Sequence, residues 1–297
     1  GNTSERAVSL KSSAEVKTAL ETAGYEAELF DLQDGFEALK EESEGFDAFF
    51  PVLHGKEGED GTLYEFLDTL NKPYVGNDCK GTAQAFNKIT SKNYFEENGI
   101  PTGSWREVKN KEEVEQFGFP SVLKAASGGS SREVVLLHSE KDLESKAVDE
   151  LLRLDDQFLV EKFLKGDEIT VPVLGKEVLD VIAIVPPDGK WFDYENKYSG
   201  ETQEIVNPDF VPEELKKHAQ EIALKIHKDL ELGPYSRTDM IVVNGKPYVL
   251  EVNGPCGVGF TSQSLFPKAA KKIGLDFPAL CKLLVERSIS LIPPGPR

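Results

Sequence analysis

Residues 238–254 read TDMIVVNGKPYVLEVNG, two runs of apolar and β-branched residues joined by Asn244 and Gly245. Asn-Gly between such runs is the strongest short-range signal for a β-hairpin. Side chains alternate faces along a strand, so the parity of the turn decides which polar residues meet. A turn with an odd number of residues puts Arg237, Asp239, Glu251 and Asn253 on one face, whereas a two-residue turn separates Asp239 from Glu251. The odd turn is the expectation. An Asp, a Glu and an Asn on one surface are hard oxygen ligands of the kind Mg²⁺ takes, with positions left for phosphate oxygens and water. The same pattern also suits a solvated hairpin face.

Working outward, EITVPVLG and VLDVIAIV read as strands, and a long amphipathic helix is expected from about Pro212 to Leu232. Further upstream, after IPTGSW, the strands SVLKAA and EVVLL flank a Gly/Ser loop, followed by a helix near 139–153 and the strand QFLVEKFL. At the N-terminal end, Val16, Ala19, Leu20 and Ala23 recur at helical spacing and Gly24 supplies a stop. EAELFDL and FDAFFPVL read there as strands, Leu63, Phe66, Leu67 and Leu70 as a short helix, and GTAQAFNKITSKNYFEENG as one longer helix closed by Gly99. The resulting class is α/β with α+β lobes: an N-terminal β/α substrate lobe over 1–86, a small central lobe over 87–165 and a larger C-terminal lobe over 166–297. The opening GNTSERAVSL reads as a loop entering a helix, so an upstream strand is expected outside the sequence.

The 297 residues are 39% hydrophobic, enough for a sizeable core in two or three lobes. Lysine and arginine total 34 against 52 acidic residues, and the net charge of −18 argues against nucleic acid or an anionic membrane as partner. An anionic substrate must then be met by locally placed cations or metal ions. Cys79, Cys256 and Cys281 are odd in number and lack CxxC spacing, which suits a reducing cytosol and indicates neither a disulfide framework nor zinc. No apolar run approaches a membrane span, and no signal-peptide pattern opens the chain.

Four further stretches carry candidate chemistry. KAASGGSS (124–131) is a strand end entering a loop whose amides can wrap a phosphate while Lys124 neutralises it, or simply an ordinary loop. Neither GxxxxGK[ST] nor GxGxxG occurs, so P-loop and Rossmann sites are disfavoured. Lys88 in AFNKITSK reads as a surface charge or a phosphate partner, and YENKYSGET places Lys197 and Tyr198 in a segment of the type that forms a lid. His54, in VLHGKEGEDG, is a structural histidine or a base with no spaced Ser or Cys partner.

In order, these pieces resemble the D-alanine–D-alanine ligases of the ATP-grasp superfamily over nearly the whole chain. TSERAVSL is similar to the N-terminal motif with its functional glutamate at Glu5, and LHGKEGEDG followed by PYVGN to the second motif. The resemblance implies ATP with Mg²⁺ or Mn²⁺ as cofactors and D-alanine as substrate in peptidoglycan precursor synthesis, with a homodimer as the assembly. It implies nucleotide contacts from Lys88, Lys124, Ser131, Glu161, Lys162, Phe163, Leu164, Glu168 and Lys197, and metal ligation by Asp239, Glu251 and Asn253. Arg237 and the Gly257 amide would serve a tetrahedral oxyanion, and Glu5 would bind an ammonium within a triad with Ser130 and Tyr198. His54, Ser264 and Leu265 would line the amino-acid sites.

Departures from the family pattern are Ala125 for proline, Glu133 for glycine, Asn87 for aspartate, Tyr64 for glutamine, and a segment 254–263 that is two residues longer. That segment leaves open a ligase with a different second amino acid. A non-catalytic nucleotide-binding relative is the other alternative, and the intact Lys88, Lys124, Arg237, Asp239, Glu251 and Asn253 weigh against it.

Overall fold

A computed structural model describes all residues except 2–4, 129–132, 156, 188–201 and 292–297. Two antiparallel sheets organise it. Strands β1 (Trp105–Val108), β2 (Ser121–Ala125), β3 (Val134–Leu137) and β4 (Phe158–Lys162) form a four-stranded sheet in the order β1-β4-β2-β3. Strands β5 (Asp167–Leu174), β6 (Glu177–Val178), β7 (Ile182–Val185), β8 (Gln203–Val206), β9 (Tyr235–Val243) and β10 (Lys246–Asn253) form a six-stranded sheet, ordered β10-β9-β5-β7-β8 with β6 on β5.

The larger sheet is covered on both faces, which accounts for its near-continuous apolar strands. Ile169, Val171 and Val173 of β5 join Met240 and Val242 of β9 against the helix Glu213–Asp229, whose Leu215, Ala219, Ile222 and Ile226 follow helical spacing. Each such buried side chain contributes about 2 kcal/mol. On the other face Leu174 and Tyr235 pack with Phe260, Phe266 and Leu280, under the C-terminal helices Leu265–Lys272 and Phe277–Leu291 and the N-terminal helix Arg6–Thr22. Tyr235, Arg237 and Asp239 alternate to the same side, so the face that anchors Tyr235 in the core also presents Arg237 and Asp239 further along.

Several expectations need correction. EAELFDL and FDAFFPVL form no named strand: the backbone is extended, but only Phe49 bridges to Tyr74, through Phe49 N–H to Pro73 O and Val75 N–H to Phe49 O, both 2.9 Å. A strand requires a neighbour along its length, and among the described residues neither segment has one. The stretch 81–99 is two helices, Cys79–Phe86 and Lys88–Glu97, because Asn87 leaves helical geometry (φ −80°, ψ 111°) and its side chain accepts the Ile89 and Thr90 amides. Asparagine caps well and is a mediocre interior residue, so the break is local chemistry. The helix near 139–153 is a 3₁₀ turn, Glu140–Glu144, followed by the helix Lys146–Leu151, with Ser145 capping the second.

Candidate active site

The hairpin turn is the two-residue Asn244–Gly245 form, with Val243 opposite Lys246 and both turn residues at positive φ (51° and 74°). By itself that parity would separate Asp239 from Glu251. A register shift between Val249 and Glu251 leaves Leu250 as an extra residue, so Glu251 stands opposite Asp239 and Asn253 opposite Arg237. The four residues share one face as expected, through a bulge and not through an odd turn.

Asp239 is nearly buried and closely bonded. Arg237 Nε and a terminal guanidinium nitrogen donate to its two oxygens at 2.9 and 2.8 Å, Thr170 Oγ1 donates at 2.5 Å, and Asn253 Nδ2 at 3.1 Å. Burial opposes the Arg237 charge, but the adjacent carboxylate outweighs it and raises the guanidinium above its ordinary range. Glu168 lies two residues before Thr170 on β5, opposite Ile241, and therefore on this same face. Asp239, Glu251 and Asn253 fit a hard divalent cation, offering two carboxylates and an amide oxygen. Among the described residues no three His, Cys, Asp or Glu form a closed cage, so phosphate oxygens or water would complete the coordination.

Lys88, first in its helix after the Asn87 cap, is buried. Its backbone N–H donates to Ala126 O at 2.7 Å, its ammonium donates to Gly128 O, and Nζ lies 3.8 Å from Glu251 Oε2. It thus joins the glycine loop after β2 to the β9–β10 hairpin. On the smaller sheet Lys124 and Glu161 share a face, because Lys124 pairs with Leu159 and Val122 with Glu161. Glu161, only 3% exposed, forms ion pairs with Lys124 and with Lys92 Nζ at 2.6 Å. Burial alone would push its carboxyl up; the two ammonium groups outweigh that and hold it down at about 2. Lys92 also donates to Thr102 Oγ1 at 2.6 Å, which donates to Val249 O at 2.7 Å, just before the Leu250 bulge. Beyond Glu161, Lys162 is exposed, while Phe163 and Leu164 are half-buried.

A cavity beside the β9–β10 hairpin is lined by Glu59, Lys88, Glu251, Asn253, Cys256 and Gly257, among others. Glu59 lines this cavity, although in VLHGKEGEDG only His54 stands out as a candidate. Its Oε1 accepts the Gly55 amide at 2.8 Å, and burial pushes its carboxyl up to about 8, a rise that Glu5 and Glu251 reinforce and the Gly55 amide and Lys88 counter. The i to i+4 spacing of Gly55 and Glu59 across one helical turn was the only available sign. His54 is buried beside it, its backbone N–H donating to Ser9 Oγ at 2.9 Å, and Glu5 stands at the start of the first helix.

The Gly257 N–H donates to Gly254 O at 3.0 Å inside a tight turn, a bond that must open or be shared before that amide can serve an oxyanion. Ser264 accepts the Thr261 amide at 3.0 Å ahead of its helix, and Leu265 packs on the C-terminal core; neither lines the cavity above. Ser130, Ser131, Lys197 and Tyr198 lie outside the described residues.

With this geometry established, the comparison with known proteins is decisive. Family models for the D-ala D-ala ligase N-terminus and C-terminus match residues 32–77 and 90–286. The chain belongs to the D-alanine–D-alanine ligase family. It is 37% identical over 299 residues to a D-alanine–D-alanine ligase of Clostridium botulinum, covering 98% of this chain and 97% of the relative. A Desulforudis audaxviator D-alanine–D-alanine ligase is 36% identical, with 96% and 95% covered. The crystal structure of the Bacillus anthracis ligase complexed with ATP superposes with a TM-score of 0.83 at 31% identity, covering 98% of this chain and 95% of that one. The ATP-grasp reading of the two sheets holds for this ligase-family chain, and no helix among the described residues is long and apolar enough to cross a membrane.

Proposed function

We propose that this protein is an ATP-dependent ligase that joins two D-alanine molecules into D-alanyl-D-alanine, releasing ADP and phosphate for peptidoglycan precursor synthesis. The observation that carries the reading is the convergence of Arg237, Asp239, Glu251 and Asn253 on one hairpin face with Lys88 3.8 Å from Glu251. A family member of similar fold binds ATP.

In the first step a carboxylate oxygen of one D-alanine attacks the γ-phosphorus and ADP departs, leaving an acyl phosphate. In the second, the amine of the other D-alanine attacks the acyl carbon, the tetrahedral intermediate expels phosphate, and the amine loses its proton to solvent or a nearby base. Both steps concentrate negative charge, and fixed cations placed where it develops lower the barrier. Lys88 and Lys124 meet phosphate oxygens; Lys124 leaves Glu161 to do so, while Lys92 keeps that carboxylate paired. Mg²⁺ held by Asp239, Glu251 and Asn253 would neutralise and orient the phosphates. Arg237 serves the tetrahedral oxyanion, Glu5 and His54 hold the first amino acid, and Glu161 through Leu164 with Glu168 hold the nucleoside.

We assign Ser130, Ser131, Lys197 and Tyr198 to lid and phosphate contacts, keep the lobes as 1–86, 87–165 and 166–297, and expect a cytosolic homodimer; the three cysteines are free thiols. The lengthened 254–263 segment favours one second reading, a ligase with another second amino acid. The test is phosphate release from Mg-ATP with D-alanine, beside L-alanine and D-alanine mixed with D-serine or D-lactate, with products identified by mass. D-Alanyl-D-alanine is expected; a mixed product alone supports the second reading, and no phosphate release with any pair overturns both.

A further inference from the structure

Cys256 and Tyr64 lie 192 residues apart in sequence and meet in the fold, with Tyr64 Oη 3.2 Å from Cys256 Sγ. The sulfur also accepts the backbone N–H of Leu53, the residue before His54. Tyr64 is fully buried in the helix Thr62–Thr69, and its ring passes so close to Gly76 that a Cβ there would stand 2.1 Å from Cε1. One thiol therefore ties together the end of the His54 segment, the Tyr64 helix and the turn that carries Gly257.

Glu59 makes a second tie between the same parts. While Oε1 accepts the Gly55 amide, Oε2 would lie 2.7 Å from a Cβ at position 257, so any side chain there would push the Glu59 carboxylate aside. Cys256 is 2% exposed and lines the cavity beside Asn253 and Gly257, yet burial pushes its thiol up to about 11, which makes it a neutral hydrogen-bonding group and a poor nucleophile. A neutral sulfur adds no charge to a cavity wall that already holds Glu59 and Glu251.

We infer that Cys256 and Tyr64 are positioning residues that fix the Gly254–Gly257 turn against the His54 loop, and so set the geometry and selectivity of the second amino-acid site. The inference rests on the ligase reading above and deepens it. Displacing a turn by a fraction of an ångström matters where an attacking amine must be aligned with an acyl carbon, and matters less for the nucleotide contacts at Lys124 and Glu161, which lie on the four-stranded sheet.

The experiment compares the unaltered protein with Cys256→Ala, Tyr64→Phe and the double variant. Cys256→Ala is expected to raise the D-alanine requirement of the second site about tenfold, the usual effect of losing hydrogen bonds to a buried group. The KM for ATP should stay within about twofold, because Lys124 and Glu161 stand on the four-stranded sheet and share no hydrogen bond with this junction. Tyr64→Phe should move the same parameter in the same direction, and the double variant should be no worse than Cys256→Ala, since both remove one contact. With mixed acceptors, the ratio of D-alanyl-D-serine to D-alanyl-D-alanine should change. Amide exchange at Leu53 should quicken in Cys256→Ala, a readout independent of turnover.

Unchanged second-site KM and product ratio, additive single effects, or an equal rise in the KM for ATP would each overturn the inference. If Cys256→Ala does not fold, Tyr64→Phe, which keeps the ring, reads the same contact. Absence of any dipeptide from the unaltered protein would sink the ligase reading itself, while the exchange rate at Leu53 would still decide whether Cys256 holds the junction.

Discussion

Glu161→Gln tests the buried charge cluster most sharply. The substitution keeps the side chain's shape and hydrogen-bonding capacity but leaves Lys92 and Lys124 facing each other without the carboxylate between them. The Glu161 carboxyl lies at about 2, down from an ordinary 4.5, and each pH unit corresponds to roughly 1.4 kcal/mol, so the ionised form contributes about 3 kcal/mol. That agrees with the roughly 3–5 kcal/mol typical of removing one partner from a buried ion pair. Because the folded value is depressed, this stability is present above about 4.5 and is lost as pH falls toward 2. The assay is urea unfolding of both proteins at pH 7 and again at pH 4.5 and 3.5. The expected result is a lower midpoint for Glu161→Gln at neutral pH and a gap that narrows as pH falls. Adding Lys92→Met should recover part of the loss, because one uncompensated ammonium then disappears. Equal midpoints at pH 7, or a gap independent of pH, would refute the idea that Glu161 is an ionised counter-charge.

Other consequences follow from single contacts. Buried His227 is held at about 4 against an ordinary 6.5, chiefly by burial, which backbone bonds at Gly175 and Gly233 only partly counter, so its contribution is present above about 6.5 and lost as pH falls toward 4; His227→Gln should flatten the fall in melting temperature between pH 7 and 5. Asn87→Ala removes the cap on the Lys88 helix and should lower stability by about 1 kcal/mol, measured by denaturant unfolding, while raising the KM for ATP because Lys88 is the first residue of that helix. Glu251→Gln and Asp239→Asn should abolish phosphate release at ordinary Mg²⁺ while far-ultraviolet circular dichroism stays unchanged; full activity in either would remove these residues from metal ligation.

Local chemistry made much of the architecture legible in the sequence. The Asn244–Gly245 turn, most strands of both sheets, the long helix after Pro212 and the stop at Gly24 depend on neighbouring residues and appear where the pattern places them, whereas the strands Trp105–Val108 and Gln203–Val206 carry no such pattern and go unread. Motif order also carried the family. The sequence misread places where local patterns compete: Asn87 acts as a cap within an otherwise helical run, and among the described residues the β-rich N-terminal segments pair only through the Phe49–Tyr74 bridge.

Tertiary structure decided what parity could not. The single extra residue at Leu250 is invisible to alternation, yet it turns a two-residue hairpin into one that sets Glu251 across from Asp239. Glu59 drew no separate reading in the sequence because the spacing does not show that the 254–257 turn packs beside it, and burial in the fold is what pushes its carboxyl up. The contact between Tyr64 and Cys256 joins residues 192 apart in the chain. Periodicity and caps report interactions within a few residues; desolvation, ion pairing and register shifts depend on what arrives from elsewhere in the fold.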